Sequence, residues 1–218
     1  MISKSINTWD QTKHWEEACI ETRRNPDERI RRLRFFRIKK KEKILDLGCG
    51  DGLNVHILYK KGVKNIFGVD ISDALIKSAK RLTPKAKFYL ASAEKLPFKD
   101  ETFDVVLVDS VFHHFMKYRK ALGEINRVLK KKGRLCFIEP HKSIVRSLYD
   151  AVCELPISKY IPFLKKRRIS YLGEIKFMRH WLKTEDDFYE TLTELKFVER
   201  LRKLDIMSTI GIYEKASY

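Results

Sequence analysis

The pattern most suited to chemistry is an acid followed by glycines at alternate positions. It reads Asp46-Leu47-Gly48-Cys49-Gly50-Asp51-Gly52 and comes directly after a short apolar segment. Glycine lets the backbone turn sharply and approach a ligand closely, and a following helix presents amide N–H groups that lack partners within the helix. The pattern therefore predicts a pocket for a nucleotide-like molecule. A dinucleotide fingerprint reads GxGxxG, so the GxGxG spacing found in this chain disfavours a dehydrogenase.

A second acid, Asp70, ends the next apolar segment, 20 residues after Gly50. A carboxylate at this position can accept hydrogen bonds from both hydroxyls of a ribose. The alternative is an acid that only caps the following helix, and the glycine loop upstream favours the binding role. Asp46 suits a different task, because a carboxylate beside the glycine turn can hold a cationic amino group or order the loop.

The surrounding sequence alternates apolar strands with helices, which is typical of a doubly wound α/β fold with a parallel sheet and helices on both faces. Helices precede this core, with a break at Pro26. The predicted strands span 44–47, 66–70, 88–90, 105–108 and 135–138, and the predicted helices span 53–61, 73–82 and 120–129.

The alternation stops after Pro140. Residues 141–182 are aromatic and basic and predict an inserted helical cap on the substrate side. A new helix is then expected from Thr184, whose spacing to Asp187 fits a capping box, followed by strands over 197–204 and 206–213. The expected organisation is a helical lid at 1–40, a cofactor-binding core at 41–140, the cap at 141–182 and closing elements at 183–218.

The net charge of +17 is concentrated in two segments, with +7 in residues 21–43 and +6 in residues 141–182. This clustering indicates an anionic partner such as RNA, a phosphorylated metabolite or a lipid surface, or else solvated helix faces. The cysteines lie far apart at 19, 49, 136 and 153, which predicts neither a metal site nor an iron–sulfur cluster. The polar N-terminus and the lack of a long apolar stretch predict a cytoplasmic protein without a transmembrane segment.

Five segments occur in an order that resembles the class I S-adenosylmethionine-dependent methyltransferases, in particular the subgroup with quinone-biosynthesis and natural-product enzymes. The resemblance covers roughly residues 40–140 and implies a Rossmann-like, mostly parallel sheet of seven strands, with the last strand antiparallel. The segments are Ile44–Gly52, Gly68–Ser72, Ala93–Phe98, Thr102–Val106 and Glu124–Lys130.

The same resemblance assigns binding roles to individual residues. It implies that S-adenosylmethionine lies with its methionine part against the loop formed by Asp46, Gly48, Cys49 and Gly50, and with its ribose on Asp70. The residues implied beside the adenine are Ile71, Ser92, Ala93 and Glu94, with Ser92 in a position where the family often has an acid.

Asp109-Ser110-Val111-Phe112-His113-His114 follows the fourth predicted strand, and the resemblance makes it the floor of the active site. Asp109 is a candidate for both cofactor contact and catalysis. His113 or His114 could act as a general base, because imidazole titrates near neutral pH. The alternative is that the paired histidines pack and orient the loop. Trp9, His14 and Trp15 are candidates for the lid.

The favoured function is methyl transfer from S-adenosylmethionine to an oxygen, nitrogen or carbon of a small-molecule or lipid-like acceptor. Three alternatives stay open: an RNA methyltransferase that uses the basic segments, a membrane-surface enzyme that uses residues 155–168, and a non-catalytic partner protein that binds the cofactor. Apolar side chains of the cap, including Leu148, Val152, Ile157 and Tyr160, are expected to line a pocket.

Overall fold

The computed structural model of the protein describes residues 26–115 and 117–217, with the backbone alone over 162–174. Trp9, His14, Trp15 and Cys19 lie outside the described residues. The seven strands are β1 (Ile44–Leu47), β2 (Ile66–Asp70), β3 (Lys87–Leu90), β4 (Phe103–Asp109), β5 (Leu129–Pro140), β6 (Phe197–Leu204) and β7 (Ser208–Lys215).

Six α-helices lie in the described part of the chain, together with 3₁₀ turns at Phe112–His114 and Pro156–Tyr160. The helix before the sheet, α1, follows Pro26 as predicted. The helices are α1 (Asp27–Phe35), α2 (Leu53–Lys60), α3 (Asp73–Leu82), α4 (Tyr118–Val128), α5 (Ile144–Glu154) and α6 (Pro162–Glu194).

The strands form one sheet in the order β3-β2-β1-β4-β5-β7-β6. The pairs among β1 to β5 are parallel, and β7 is antiparallel to both of its neighbours, β5 and β6. The expected doubly wound, mostly parallel sheet with an antiparallel last strand is therefore confirmed. Connections between the parallel strands bring all of their carboxyl ends to one edge, where ligands of such folds bind.

Hydrophobic cores cover both faces of the sheet. Helices α4 and α6 pack on one face through residues such as Ile125, Trp181 and Phe188. The other face is covered by α1, α2 and α3, with Leu33 and Val55 fully buried. The middle of β4 is buried on both faces and is therefore a continuous apolar run, and β1 is equally buried but contains Asp46.

The prediction that a helix begins at Thr184 is wrong. Residues 162–194 form one helix, so the predicted boundary at 182 falls inside it. The Thr184 hydroxyl donates to the carbonyl of His180, 3.1 Å away, as an interior helical threonine does. Trp181 and Phe188 lie on either side of Thr184 and are both buried. Their packing stabilises the helix across this position. The division of the chain into lid, core and cap stays a prediction.

The last strand also begins two residues later than predicted, at Ser208, because the amide of Asp205 donates to the Ser208 carbonyl and closes a turn between the last two strands. Cys49, Cys136 and Cys153 are reduced and buried. In the described part of the chain, no helix is long and apolar enough to cross a membrane, and no group of three acids, histidines and cysteines could hold a metal.

Candidate cofactor and active site

Four neighbouring strands each carry an acid near the carboxyl edge of the sheet: Asp70 on β2, Asp46 on β1, Asp109 on β4 and Glu139 on β5. Asp46 and Glu139 are each only 1% exposed, and Asp109 is 7% exposed. A buried carboxylate is costly unless it is paired or hydrogen-bonded, so the partners of these acids define what the site can bind.

The backbone amides of the glycine loop donate hydrogen bonds to residues of β2. The N–H groups of Gly48 and Cys49 both donate to the Val69 carbonyl, at 2.8 and 2.9 Å, and the Gly50 N–H donates to Asp70 Oδ2 at 2.8 Å. Gly48 and Gly50 have φ angles of +70° and +54°, which favour glycine. These three amides are therefore not available to a phosphate, which agrees with the absence of a dinucleotide fingerprint.

Two residues of this loop make close contacts that explain their size. A Cβ on Gly48 would lie 2.5 Å from a methyl group of Val111, in the segment after β4. Cys49 Sγ would lie 2.9 Å from a Cβ on Gly68, so the thiol occupies space that the small residue on β2 leaves. Burial holds the pKa of this thiol well above its usual range. Cys49 therefore packs into the core and can offer a ligand only its backbone.

Asp70 fastens the glycine loop and keeps acceptor capacity for a ligand. Its Oδ2 accepts from Gly50, and its Oδ1 accepts from the Ser72 amide at 2.9 Å. Each carboxylate oxygen has a further lone pair, so both can also accept a ribose hydroxyl. The geometry is compatible with both roles considered for Asp70. Its carboxylate orders the local backbone, and it can also accept hydrogen bonds from the two hydroxyls of a ribose.

Asp70→Asn is expected to weaken cofactor binding by about 1.5–3 kcal/mol, because hydrogen bonds to a charged acceptor are lost while the side-chain shape is kept. Isothermal titration calorimetry with S-adenosylhomocysteine measures this change. Asp73→Asn is the matched control, since Asp73 is an exposed acid that pairs with Lys77 on α3. Equal affinity of both variants would contradict a ribose-binding role for Asp70.

Asp46, Asp109 and Arg29 form a charged group at the centre of the edge. The guanidinium of Arg29 on α1 contacts Asp109 Oδ2, and Asn54 Nδ2 lies 3.5 Å from the same oxygen. Asp46 Oδ2 is buried and has no hydrogen-bond partner among the residues that the structure describes. Burial and the neighbouring Asp109 raise the pKa of Asp46 to about 7, against the lowering effect of Arg29.

This group suits the charged end of an amino acid. A cationic amino group would supply the partner that Asp46 Oδ2 lacks, and a carboxylate would pair with the guanidinium of Arg29. With the diol acceptor Asp70 on the adjacent strand, the edge matches a nucleoside joined to an amino acid. The donor and acceptor set thus fits S-adenosylmethionine.

Glu139 organises the segment that carries the two histidines. Its Oε1 accepts from the amides of Val111 and Phe112, at 2.6 and 2.7 Å, and its Oε2 lies 2.7 Å from Nδ1 of His113. This buried carboxylate thereby fixes both the backbone of the 3₁₀ turn and the orientation of one imidazole. Such a carboxylate–imidazole pair is the arrangement that orients a general base.

His114 lies in a different environment. Its ring centroid is 3.9 Å from that of His113 and 6.2 Å from that of Phe177. Burial, reinforced by His113, lowers the pKa of His114 well below its usual value. Its imidazole is therefore neutral across the physiological range and is a poor proton acceptor.

Side chains of α4 hydrogen-bond to the segment expected beside the adenine. Ser92 Oγ accepts from the Glu94 amide at 3.2 Å, which orders a turn after β3. Glu124 on α4 accepts from the Leu96 amide at 2.7 Å, and Arg127 donates to the Phe98 carbonyl at 2.8 Å. The Glu124–Arg127 pair therefore holds this loop in place. Ile71, Ser92, Ala93 and Glu94 are all half-buried along it.

Sequence reasoning missed Arg29 and Glu139. Glu139 carried a signal, since it is an acid at the end of an apolar strand, as Asp70 and Asp109 are. Arg29 carried none, because it is one of seven arginines between residues 23 and 37. Only the packing of α1 against the core brings its guanidinium to Asp109.

Comparison with known proteins places the core among methyltransferases. The methyltransferase domain family matches residues 45–137. A demethylmenaquinone methyltransferase of Thermotoga maritima is 32% identical over 124 residues, which are 56% of this chain and 54% of the relative. The ubiquinone/menaquinone biosynthesis C-methyltransferase UbiE of Campylobacter jejuni is 32% identical over 108 residues, 47% of this chain and 46% of the relative.

The fold agrees with these relatives. A crystal structure of a SAM-dependent methyltransferase from Methanosarcina mazei superposes with a TM-score of 0.62 at 20% identity, over 83% of this chain and 95% of that one. The chain spans about half the length of the curated relatives it matches.

The sheet order and the acid-lined edge define a Rossmann-like methyltransferase fold. Within that fold, residues 45–137 match the methyltransferase domain family, and these similarities support a class I S-adenosylmethionine-dependent methyltransferase. S-adenosylmethionine is accordingly the expected cofactor, in agreement with the sequence resemblance.

Proposed function

We propose that the protein transfers a methyl group from S-adenosylmethionine to an oxygen, nitrogen or carbon of a small-molecule or lipid-like acceptor. The observation that carries this proposal is the group formed by Asp46, Asp109 and Arg29 beside Asp70. It offers separate partners for an ammonium, a carboxylate and a ribose along one sheet edge.

The residues of the chain act mainly by positioning. When bound, S-adenosylmethionine supplies an electrophilic methyl group on its sulfonium. Asp46 and Asp109 hold the ammonium, Arg29 holds the carboxylate, and Asp70 holds the ribose hydroxyls. An in-line displacement gains most of its rate from correct orientation. The protein therefore need not supply an acid or a base for every acceptor.

For an acceptor that must lose a proton, His113 is the candidate proton acceptor. With Nδ1–H donating to Glu139, its Nε2 carries the lone pair that takes a proton. His114 then has a packing role beside it. This assignment gives the two histidines different tasks and makes Glu139 a positioning residue.

The acceptor class is supported by the activities of the relatives. One relative is a demethylmenaquinone methyltransferase and another is a ubiquinone/menaquinone biosynthesis C-methyltransferase, so a quinone-like acceptor is the one that we favour. Buried reduced cysteines fit a reducing compartment, and we place the protein in the cytoplasm.

Incubation with radiolabelled S-adenosylmethionine and separate pools of small molecules, lipids and RNA tests this function. We expect label in the lipid or small-molecule pool and release of S-adenosylhomocysteine. Label confined to RNA would overturn the acceptor class. Cofactor binding without turnover in any pool would instead indicate a non-catalytic binding protein.

Arg29→Met is expected to lower the affinity for S-adenosylhomocysteine by about tenfold, or about 1.4 kcal/mol, because the partner of the amino-acid carboxylate is removed. Its affinity for 5′-methylthioadenosine, which lacks that carboxylate, should stay unchanged. Calorimetry with both ligands checks the difference. Arg32→Met is the control, since Arg32 on the same helix pairs with Glu28. Equal losses for both ligands would assign Arg29 a structural role only.

A further inference from the structure

Helix α5 exposes its aliphatic side chains and turns a charged pair toward the protein, which is the reverse of an ordinary surface helix. Its inward face buries the Arg146–Asp150 ion pair, joined by Nε–Oδ distances of 2.9 and 3.1 Å. The aliphatic residues point outward. Together with the following 3₁₀ turn they form what we call the apolar ridge: Ile144 (81% exposed), Val145 (49%), Leu148 (63%), Val152 (40%), Ile157 (63%) and Tyr160 (74%). Leu148, Val152, Ile157 and Tyr160, which were expected to line a pocket, are thus all exposed.

The ridge is fixed at the catalytic edge. Helix α5 follows β5, the strand that carries Glu139, after a linker of three residues. Trp181 Nε1 donates to the Pro140 carbonyl at 2.7 Å, and Ser143 Oγ caps the helix by accepting from the Arg146 amide at 3.0 Å. The outward orientation of the ridge is therefore set by buried contacts at its base. A contiguous apolar surface of this kind marks a site of interaction.

We propose that the apolar ridge inserts into the surface of a bilayer that contains anionic lipids. The charges around it favour this partner. The acids of α5 are neutralised, since Asp150 pairs with Arg146, and Arg179 donates to both carboxylate oxygens of Glu154 at 2.8 and 2.9 Å.

Basic residues follow the helix of the ridge along the chain. Lys159 lies within the 3₁₀ turn, and Lys165-Lys166-Arg167-Arg168 follows in the first turns of α6. Apolar residues combined with basic residues in one segment of sequence are typical of interfacial amphipathic helices, which gain both hydrophobic insertion and attraction to anionic headgroups.

This contact would bring the carboxyl edge of the sheet next to the membrane, where a lipid-like acceptor is dissolved. That consequence rests on the proposed function, whereas the membrane contact itself does not. Binding to vesicles and binding of the cofactor can therefore be measured separately.

Flotation of the full chain with vesicles tests the proposal. We expect binding to vesicles of phosphatidylcholine with phosphatidylglycerol, and weaker binding to phosphatidylcholine alone. The double variant Leu148→Ser/Val152→Ser should reduce partitioning by about tenfold or more, since both side chains lose their transfer from water to lipid. Cofactor affinity should be unchanged in this variant.

The matched control is Val198→Ser/Leu204→Ser, which removes two apolar side chains of similar exposure, 41% and 60%, from β6. It should bind vesicles as the unaltered protein does. The proposal is overturned if the unaltered protein stays unbound, if both double variants bind equally, or if gel filtration shows a dimer that the ridge variant alone disrupts. Intact cofactor binding in any of these cases leaves the proposed function standing.

Discussion

Glu139→Ala is expected to lower the free energy of unfolding by about 3–5 kcal/mol. The buried carboxylate accepts from the backbone amides of Val111, Phe112 and, at 3.4 Å, His113, and it contacts Nδ1 of His113. Hydrogen bonds to charged groups contribute about 1.5–3 kcal/mol each, and buried donors left unsatisfied add to the loss. Urea denaturation followed by circular dichroism measures the change.

Glu185→Ala provides the control for burial alone. Glu185 is also a buried acid, 7% exposed, and accepts from the backbone of Lys142 at 3.0 Å. With a single backbone contact, it should lose only about 1–2 kcal/mol. If both variants lose the same free energy, the network around Glu139 has no special role in holding the histidine segment.

Glu139 and Arg29 also show what the sequence could and could not predict about the site. Asp46 and Asp70 were predictable, because an acid beside a glycine turn or at the end of a strand occupies a place fixed by local pattern. Arg29 pairs with Asp109 across 80 positions of the chain. Such a pairing depends on how α1 packs, which no local pattern encodes.

The fold was predictable for a related reason. Strand–helix alternation predicts a parallel sheet, and the mostly parallel sheet of seven strands was confirmed. The errors fell where local signals compete with packing. Thr184 and Asp187 have the spacing of a capping box, but the buried side chains of Trp181 and Phe188 stabilise helix on both sides of Thr184. The apolar content of residues 141–182 predicted a lined pocket, and it could not indicate which face of α5 would be exposed.

Asp46→Asn is expected to weaken cofactor binding by about 2–5 kcal/mol, because an ammonium loses a buried anionic partner. Calorimetry with S-adenosylhomocysteine at pH 7.5 measures this loss. Glu42→Gln is the control, since Glu42 is an acid that pairs with Arg134 rather than with the site. Unchanged affinity in Asp46→Asn would remove Asp46 from the ammonium site.

The same substitution is expected to stabilise the ligand-free protein, in a way that depends on pH. The pKa of Asp46 is raised from 3.8 to about 7 by burial. Between these values the unfolded chain is ionised and the folded chain holds the proton, so this group lowers stability as pH rises and adds nothing further above about 7. The full cost is about 4 kcal/mol at most. Asn lacks this titration.

The stability gain of Asp46→Asn over the unaltered protein should therefore be absent at pH 4, grow through pH 5 to 7 and level off above it, as measured by denaturation at each pH. Cofactor binding should show the opposite coupling, since an ammonium beside Asp46 favours the ionised carboxylate. In the unaltered protein, affinity should rise between pH 5.5 and 7 with release of a proton, and in Asp46→Asn this rise should be missing. A parallel pH dependence in both proteins would mean that another group titrates. Together, the two measurements distinguish a carboxylate that binds the ligand and lowers stability from a carboxylate that stabilises the fold.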